Sequence, residues 1–311
     1  MNRDVVVVGE ANPDLLASGI QEMPRLGTEV LCERFEISLG GSSALAAAGM
    51  ARLGLDVAFV SKVGGDLFGR FVLEELGSKG VDASRVIVDP SMRTGVSIIL
   101  SLPRDRGIVT FQGTMSALSI EEIDIDFVTS FRHLHVSSFF LQEALQPFLP
   151  WLFQRAREVG MTTSLDTGWD PKEKWNGVLR QVLEYVDVFL PNELEATAVA
   201  GAGDVESALG VLAKMVPGIV AVKLGEKGAV AVCGGEVVRH SGYKVPVVDT
   251  TGAGDCFNAG FLYGFLRGES LYQCLSLGCA CGALSVTAVG GASAQPTLDE
   301  ARRLIQQCRE A

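Results

Sequence analysis

The residues best suited to chemistry run from Asp249 to Phe261 as Asp-Thr-Thr-Gly-Ala-Gly-Asp-Cys-Phe-Asn-Ala-Gly-Phe, a glycine-rich turn opening directly into an apolar helix. Small residues let the main chain approach an anion, and a helix start offers unpaired N–H groups at its positive dipole end. Gly252 to Asp255 can therefore form a phosphate cradle. Asp255 has two readings. As an N-cap it would compete with the phosphate; aimed at an incoming hydroxyl, it would take the proton as that oxygen attacks phosphorus. His133 and His135 alternate along one strand, a spacing that zinc sites use, but no third or fourth ligand is recognisable, so a structural role is expected. Cys256, Cys279 and Cys281 read as small core hydrophobes.

The elements that must hold this turn are short apolar runs alternating with helical patterns. Val5 to Val8, Val57 to Val60, His133 to Ser137, Thr162 to Asp166, Asp187 to Leu190 and Ile219 to Leu224 read as buried strands. Between and after them, helices are expected at Ser43–Leu53, Asp66–Lys79, Ile120–Ser130, Phe148–Val159, Trp175–Val186, Val205–Met215, Gly254–Arg267, Ser270–Thr287 and Leu298–Arg309. Ser119/Glu122 and Thr297/Glu300 fit capping boxes. The alternation predicts an α/β fold: a central, mainly parallel sheet with helices on both faces, as one domain over 1–311. Two regions break the pattern, at about 15–39 and 95–112. They predict a small β-sheet lid, the second region being a hairpin with Pro103-Arg104-Asp105-Arg106-Gly107 at its tip. Arg104 and Arg106 could clamp a phosphate on lid closure, against the default of a solvated charged turn.

The turn and its flanks resemble the C-terminal signature of the ribokinase-like carbohydrate kinases, the PfkB family. Gly40-Gly41 with the following small-residue helix and Ala51-Arg52-Leu53-Gly54 is similar to the family's N-terminal signature. Lys62 to Gly69, Asn192-Glu193-Leu194-Glu195 and Leu224 to Gly228 extend the resemblance over nearly the whole chain. It implies ATP-dependent phosphoryl transfer, with Asp255 as general base and the amides of Gly252, Ala253 and Gly254 stabilising the migrating phosphoryl group. Asn192 and Glu195, at i and i+3, would hold hydrated Mg²⁺ and phosphates, although the same spacing is capping-box geometry. Lys223, Gly225 and Gly228 stand where the family contacts the nucleotide. Lys223 replaces the threonine common there and reads as a phosphate contact or a solvated strand end. Asp249 and Thr251, with carbonyls of 286–291, resemble the family's monovalent-cation site, implying K⁺.

For the acceptor, Asp14 matches the acid that reads sugar hydroxyls, and Gly40 and Gly41 admit substrate to the main chain. Asp166 ends a strand at the ligand-binding edge of the sheet, though Asp-Thr-Gly is also turn chemistry. Leu45 stands where ribokinases carry asparagine, which tells against ribose. Asp170 stands where ketodeoxygluconate kinases carry arginine, which disfavours sugar acids and leaves a neutral sugar or polyol. The rivals are a nucleoside kinase, given Leu45 and Phe139-Phe140 as apolar walls, and a catalytically silent sugar sensor.

Composition agrees with a small-molecule enzyme. The chain has 311 residues, 26 Lys and Arg against 37 Asp and Glu, and a net charge of −11, which works against a long phosphate-backbone footprint, so no nucleic-acid partner is expected. There is no GxGxxG after the first strand and no Walker motif. No residue from Ser270 to Leu298 is charged, yet glycines and polar residues interrupt the stretch, so a buried helix is expected there and no membrane span. The Met1-Asn2-Arg3-Asp4 opening and seven scattered cysteines predict a cytoplasmic protein with reduced thiols. Open lid edges predict a homodimer.

Overall fold

Val5 to Val8 are wholly buried because their strand is covered on both sides, and their side chains divide between two cores. Val5 and Val7 pack with the helices Ser42–Arg52, Ala253–Leu266 and Leu271–Ser285. Val6 and Val8 pack with Leu149–Glu158, Val178–Leu183 and Val205–Met215. The structure, a computed structural model, describes residues 3–102, 106–175 and 177–310; Arg104 of the expected phosphate clamp lies outside the described residues.

In chain order the strands are β1 (Arg3–Val8), β2 (Asn12–Ser18), β3 (Arg34–Gly40), β4 (Val57–Gly64), β5 (Asp82–Asp89), β6 (Val96–Ser101) and β7 (Arg106–Phe111), followed by β8 (Phe131–Val136), β9 (Thr162–Leu165), β10 (Val188–Phe189), β11 (Ile219–Lys223), β12 (Ala229–Cys233) and β13 (Glu236–His240). Among the described residues they form a nine-stranded sheet ordered β13-β12-β11-β10-β9-β8-β1-β4-β5 and a four-stranded sheet ordered β3-β2-β6-β7. The large sheet is parallel except for β12, which runs antiparallel to both its neighbours, β11 and β13.

β2 leaves the large sheet only three residues after β1, so the lid is rooted at the edge where β1 ends. Its register sorts the side chains. Asp14 pairs with Ser38 and Ser97, and Ser97 with Thr110, giving one polar row; Leu15 pairs with Ile37 and Ile98, and Ile98 with Val109, giving an apolar row on the opposite face.

Three expectations need correction. The helix expected over Ile120–Ser130 is split into a 3₁₀ turn at Ile120–Glu122 and a short helix at Ile125–Val128, because Asp124 caps the second segment through the Phe127 amide at 3.0 Å. The helix expected from Trp175 begins at Val178, since Asp170 gathers the amides of Lys172, Lys174 and Trp175 into a loop. β5, β12 and β13 have no counterpart among the expected strands: β5 is a half-buried edge without a continuous apolar run, and β12 and β13 turn back on β11 as short antiparallel hairpins. Both capping boxes are present: Ser119 N donates to Glu122 at 3.0 Å and Thr297 N to Glu300 at 2.7 Å. The uncharged stretch forms the largely buried helix Leu271–Ser285; no helix among the described residues is long and apolar enough to cross a membrane.

Candidate active site

The glycine turn lies where the helix Ala253–Leu266 begins. Gly252 is its N-cap with φ +73°, and a Cβ there would stand 2.7 Å from the Gly291 main chain, so only glycine fits. Helical bonding starts with Cys256 N to Gly252 O at 2.9 Å, and Ala253 N makes a longer bond of 3.3 Å to Thr250 O. Among the described residues nothing accepts from the amides of Gly254 and Asp255. Two unpaired donors thus lie at the positive end of a 14-residue helix.

Asp255 does not cap this helix; its buried carboxyl turns toward Ser42 at the start of the Ser42–Arg52 helix. Burial, with the charge of Asp166 added, drives it well above the ordinary carboxylate range, while Lys223 pulls the other way. Glu10, a buried acid just past β1 that sequence reasoning passed over, also raises it. Glu10 accepts from Ser43 Oγ at 2.5 Å, and burial raises its own value. The signal for it was present: an acid directly after a central strand sits at the ligand-binding edge of an open α/β sheet.

Asp14 faces the same edge from the lid. Asn12 Nδ2 donates to its Oδ1 at 2.9 Å, and burial nonetheless pushes its carboxyl up to about 6. Gly40 makes room for it, since a Cβ at Gly40 would fall 2.1 Å from Asp14 Oδ1, and Gly41 caps the next helix with φ +85° beside Asn12. Arg106, at the start of β7 and still exposed, donates to Thr251 Oγ1 at 2.9 Å, so the lid reaches the flank of the cradle.

Asp166 and Lys223 meet each other. Lys223 Nζ lies 2.5 Å from Asp166 Oδ2 and 3.2 Å from Asn258 Oδ1, and Asn258 donates to Asp166 at 2.5 Å. Lys223 is therefore no solvated strand end, and the other oxygen of Asp166 accepts from Gly168 N at 2.9 Å, as its turn reading expects. Asn258, also missed, is a lone polar residue one turn beyond Asp255 on an apolar helix.

Asn192 and Glu195 form the full capping box. Glu195 N donates to Asn192 Oδ1 at 2.9 Å, and Asn192 N and Nδ2 each donate to Glu195 at 2.8 Å. Burial and the Asp166 charge push Glu195 up to about 7, against Lys223. An amide and a carboxylate at the head of one helix suit a cation that keeps its own waters. Gly225 (φ +60°) and Gly228 (φ +88°) form the tight turn after β11, and a Cβ at Gly228 would meet His240 O at 2.0 Å.

Asp249, Thr251 and the 286–291 loop, expected to hold potassium, are tied to one another by hydrogen bonds. Asp249 accepts from Thr251 N at 2.9 Å, Thr251 Oγ1 at 2.8 Å and Gly290 N at 2.9 Å, while Val286 O accepts two amides. Three specificity arguments also change. Asp170 spends its carboxylate on three loop amides and presents no charge to an acceptor. Leu45 is buried against Gly291 of the cradle, and Phe139 belongs to the core, so neither offers a wall to a nucleobase.

Comparison with known proteins shows the family and the fold. The model of the pfkB family carbohydrate kinases matches residues 2–298. The chain is 30% identical over 312 residues to 2-dehydro-3-deoxygluconokinase of Bacillus subtilis, covering 96% of this chain and 94% of that protein. It is 30% identical over 321 residues to fructokinase of Klebsiella pneumoniae, covering 98% and 100%. A crystal structure of an E. coli protein assigned as ribokinase II, in complex with ATP and Mg²⁺, superposes with a TM-score of 0.88 at 25% identity, covering 98% of this chain and 99% of that one.

Proposed function

The chain belongs to the pfkB family of carbohydrate kinases, ATP-dependent phosphotransferases with an alcohol acceptor, and from this premise we propose that Asp255 is its general base and that the acceptor is a small neutral sugar or polyol. The observation that carries the reading is the pairing of unpaired amides at Gly254 and Asp255 with an uncapped, buried Asp255 carboxyl on the same helix turn. Asp255 takes the proton from the acceptor hydroxyl as its oxygen attacks the γ-phosphorus. The amides of Gly252, Gly254 and Asp255 meet the charge on the transferring group, joined by that of Ala253 once it gives up its long 3.3 Å bond to Thr250 O. Asn192 and Glu195 would hold the waters of Mg²⁺, which when bound neutralises phosphate charge; Gly225 and Gly228 keep the neighbouring turn open to the nucleotide. The Arg106–Thr251 contact supports a lid that excludes water from the cradle.

Asp14, with Gly40 and Gly41, orients the acceptor hydroxyls. Glu10, Asp14 and Asp255 leave the acceptor end acidic, which supports a neutral substrate over a sugar acid. A screen of ADP formation over pentoses, hexoses, polyols, sugar acids and nucleosides tests this: Mg²⁺-dependent turnover is expected with a neutral sugar or polyol. Turnover confined to sugar acids or nucleosides would overturn the substrate reading, and ligand binding with no ADP would favour the silent sensor.

The lid also supports a homodimer. Phe35, Ile37, Ile98, Val109 and Phe111 share the lid face turned away from Asp14 and are all exposed, Val109 by 65%. A contiguous apolar sheet face of this kind calls for a second copy. Sedimentation should give twice the 33.0 kDa chain mass, and Val109→Asp should yield monomers; a wild-type protein that sediments at the chain mass would remove the inference.

A further inference from the structure

Asp166, Lys223 and Asn258 close a hydrogen-bonded triangle drawn from the end of β9, the end of β11 and the helix that carries Asp255. Asp166 and Asn258 are buried and Lys223 is nearly so, the Asp166 and Lys223 side chains being 6% and 12% exposed. Lys223 is anchored through its own main chain, its N donating to Pro191 O at 2.9 Å. Its ammonium lies beneath the cradle: a Cβ built on Gly254 would stand 3.5 Å from Nζ. Burying an amine here is costly unless its charge is used, and Asp166 with Asn258 accounts for two of its three donors.

We propose that Lys223 is a positioning residue that pins the first turns of the Ala253–Leu266 helix to the sheet edge through Asp166 and Asn258, its ammonium beneath Gly254 offsetting the negative charge of the acids around Asp255. This rests on the assignment of Asp255 as the base. The charged groups facing Asp255 come from separate elements: Glu10 after β1, Asp166 after β9 and Lys223 on β11, with a hydrogen bond from Ser42 at the head of the Ser42–Arg52 helix. Glu10 and Asp166 favour the protonated acid, and Lys223 opposes them. The two halves of the ion pair therefore act on Asp255 with opposite signs.

The test is a ¹³C NMR titration of the Asp255 carboxyl in the ligand-free full chain, its resonance identified by loss in D255N. It needs no substrate, so it can fail while the kinase assignment stands, and a failed ADP screen leaves it intact. Lys223→Met should move the Asp255 midpoint up by about one pH unit or more, Asp166→Asn should move it down, and the double variant should return it toward wild type. Where a phosphoryl acceptor is in hand, the acidic limb of kcat/KM should move in the same opposite senses. Equal midpoints in wild type and Asp166→Asn, or shifts of one sign in both single variants, would overturn the proposal in favour of a purely structural ion pair. Should Lys223→Met not fold, Asp166→Asn and the double variant decide it.

Discussion

Asp255→Asn is expected to lower kcat by at least ~10², a loss of about 2.7 kcal/mol or more in transition-state stabilisation, while leaving the fold intact. Asparagine has the size of aspartate and keeps an oxygen for Ser42, but it cannot accept the hydroxyl proton. The substitution also removes a buried charge that stands near Asp166 and Glu10, so the melting temperature should hold or rise. The cradle is made of main-chain amides, so KM for ATP should move little. In the wild type, activity should fall as pH drops, because Asp255 must be ionised to act. The fall should begin above the ordinary carboxylate range, since burial and Asp166 raise the Asp255 value. Wild-type turnover by the asparagine variant would remove the base assignment.

Acid should destabilise this protein through its two strand histidines. His133 and His135 are fully buried and form one chain of hydrogen bonds, Thr162–His133–Ser164–His135–Ser137, each link between 2.7 and 2.8 Å. A neutral imidazole donates once and accepts once, which this chain of hydroxyls satisfies. Burial lowers His133 to about 3 and His135 to about 4. Between those values and the unfolded value near 6.5 the unfolded chain binds more protons, so the stability is complete above about 6.5 and drains as pH falls. His135 alone accounts for roughly 3 kcal/mol by pH 4. Asp14 and Glu195, raised to about 6 and about 7, work in the opposite sense, so the comparison belongs within one series. Denaturant unfolding at pH 7 and pH 4.5 should show a smaller loss in a His133→Gln/His135→Gln variant than in wild type. An equal loss in both would remove the histidines as its cause.

Several features were legible before any fold was known because they depend on local physics. Val5 to Val8 admit no reading but a doubly covered strand, Gly252 to Asp255 place amides at a helix start, and Ser119/Glu122 and Thr297/Glu300 name their own caps. The order of the motifs along the chain was enough to imply the family and its chemistry. What each charged side chain does was decided by which elements the sheet brings together. Asp166 and Lys223, 57 residues apart, give no sign in the sequence that they pair, and the sheet edge joins them. Glu10 and Asn258 drew no attention alone and gain their roles only beside Ser43 and Asp166. Asp170 and Leu45, read from their positions in a motif, turn their chemistry to loop amides and to Gly291. The chain's local pattern determines where a turn, a cap or a buried strand must form, because those depend on neighbours within a few residues. The balance of charge around Asp255 depends on burial and on partners from β1, β9 and β11, and only the assembled sheet edge sets it.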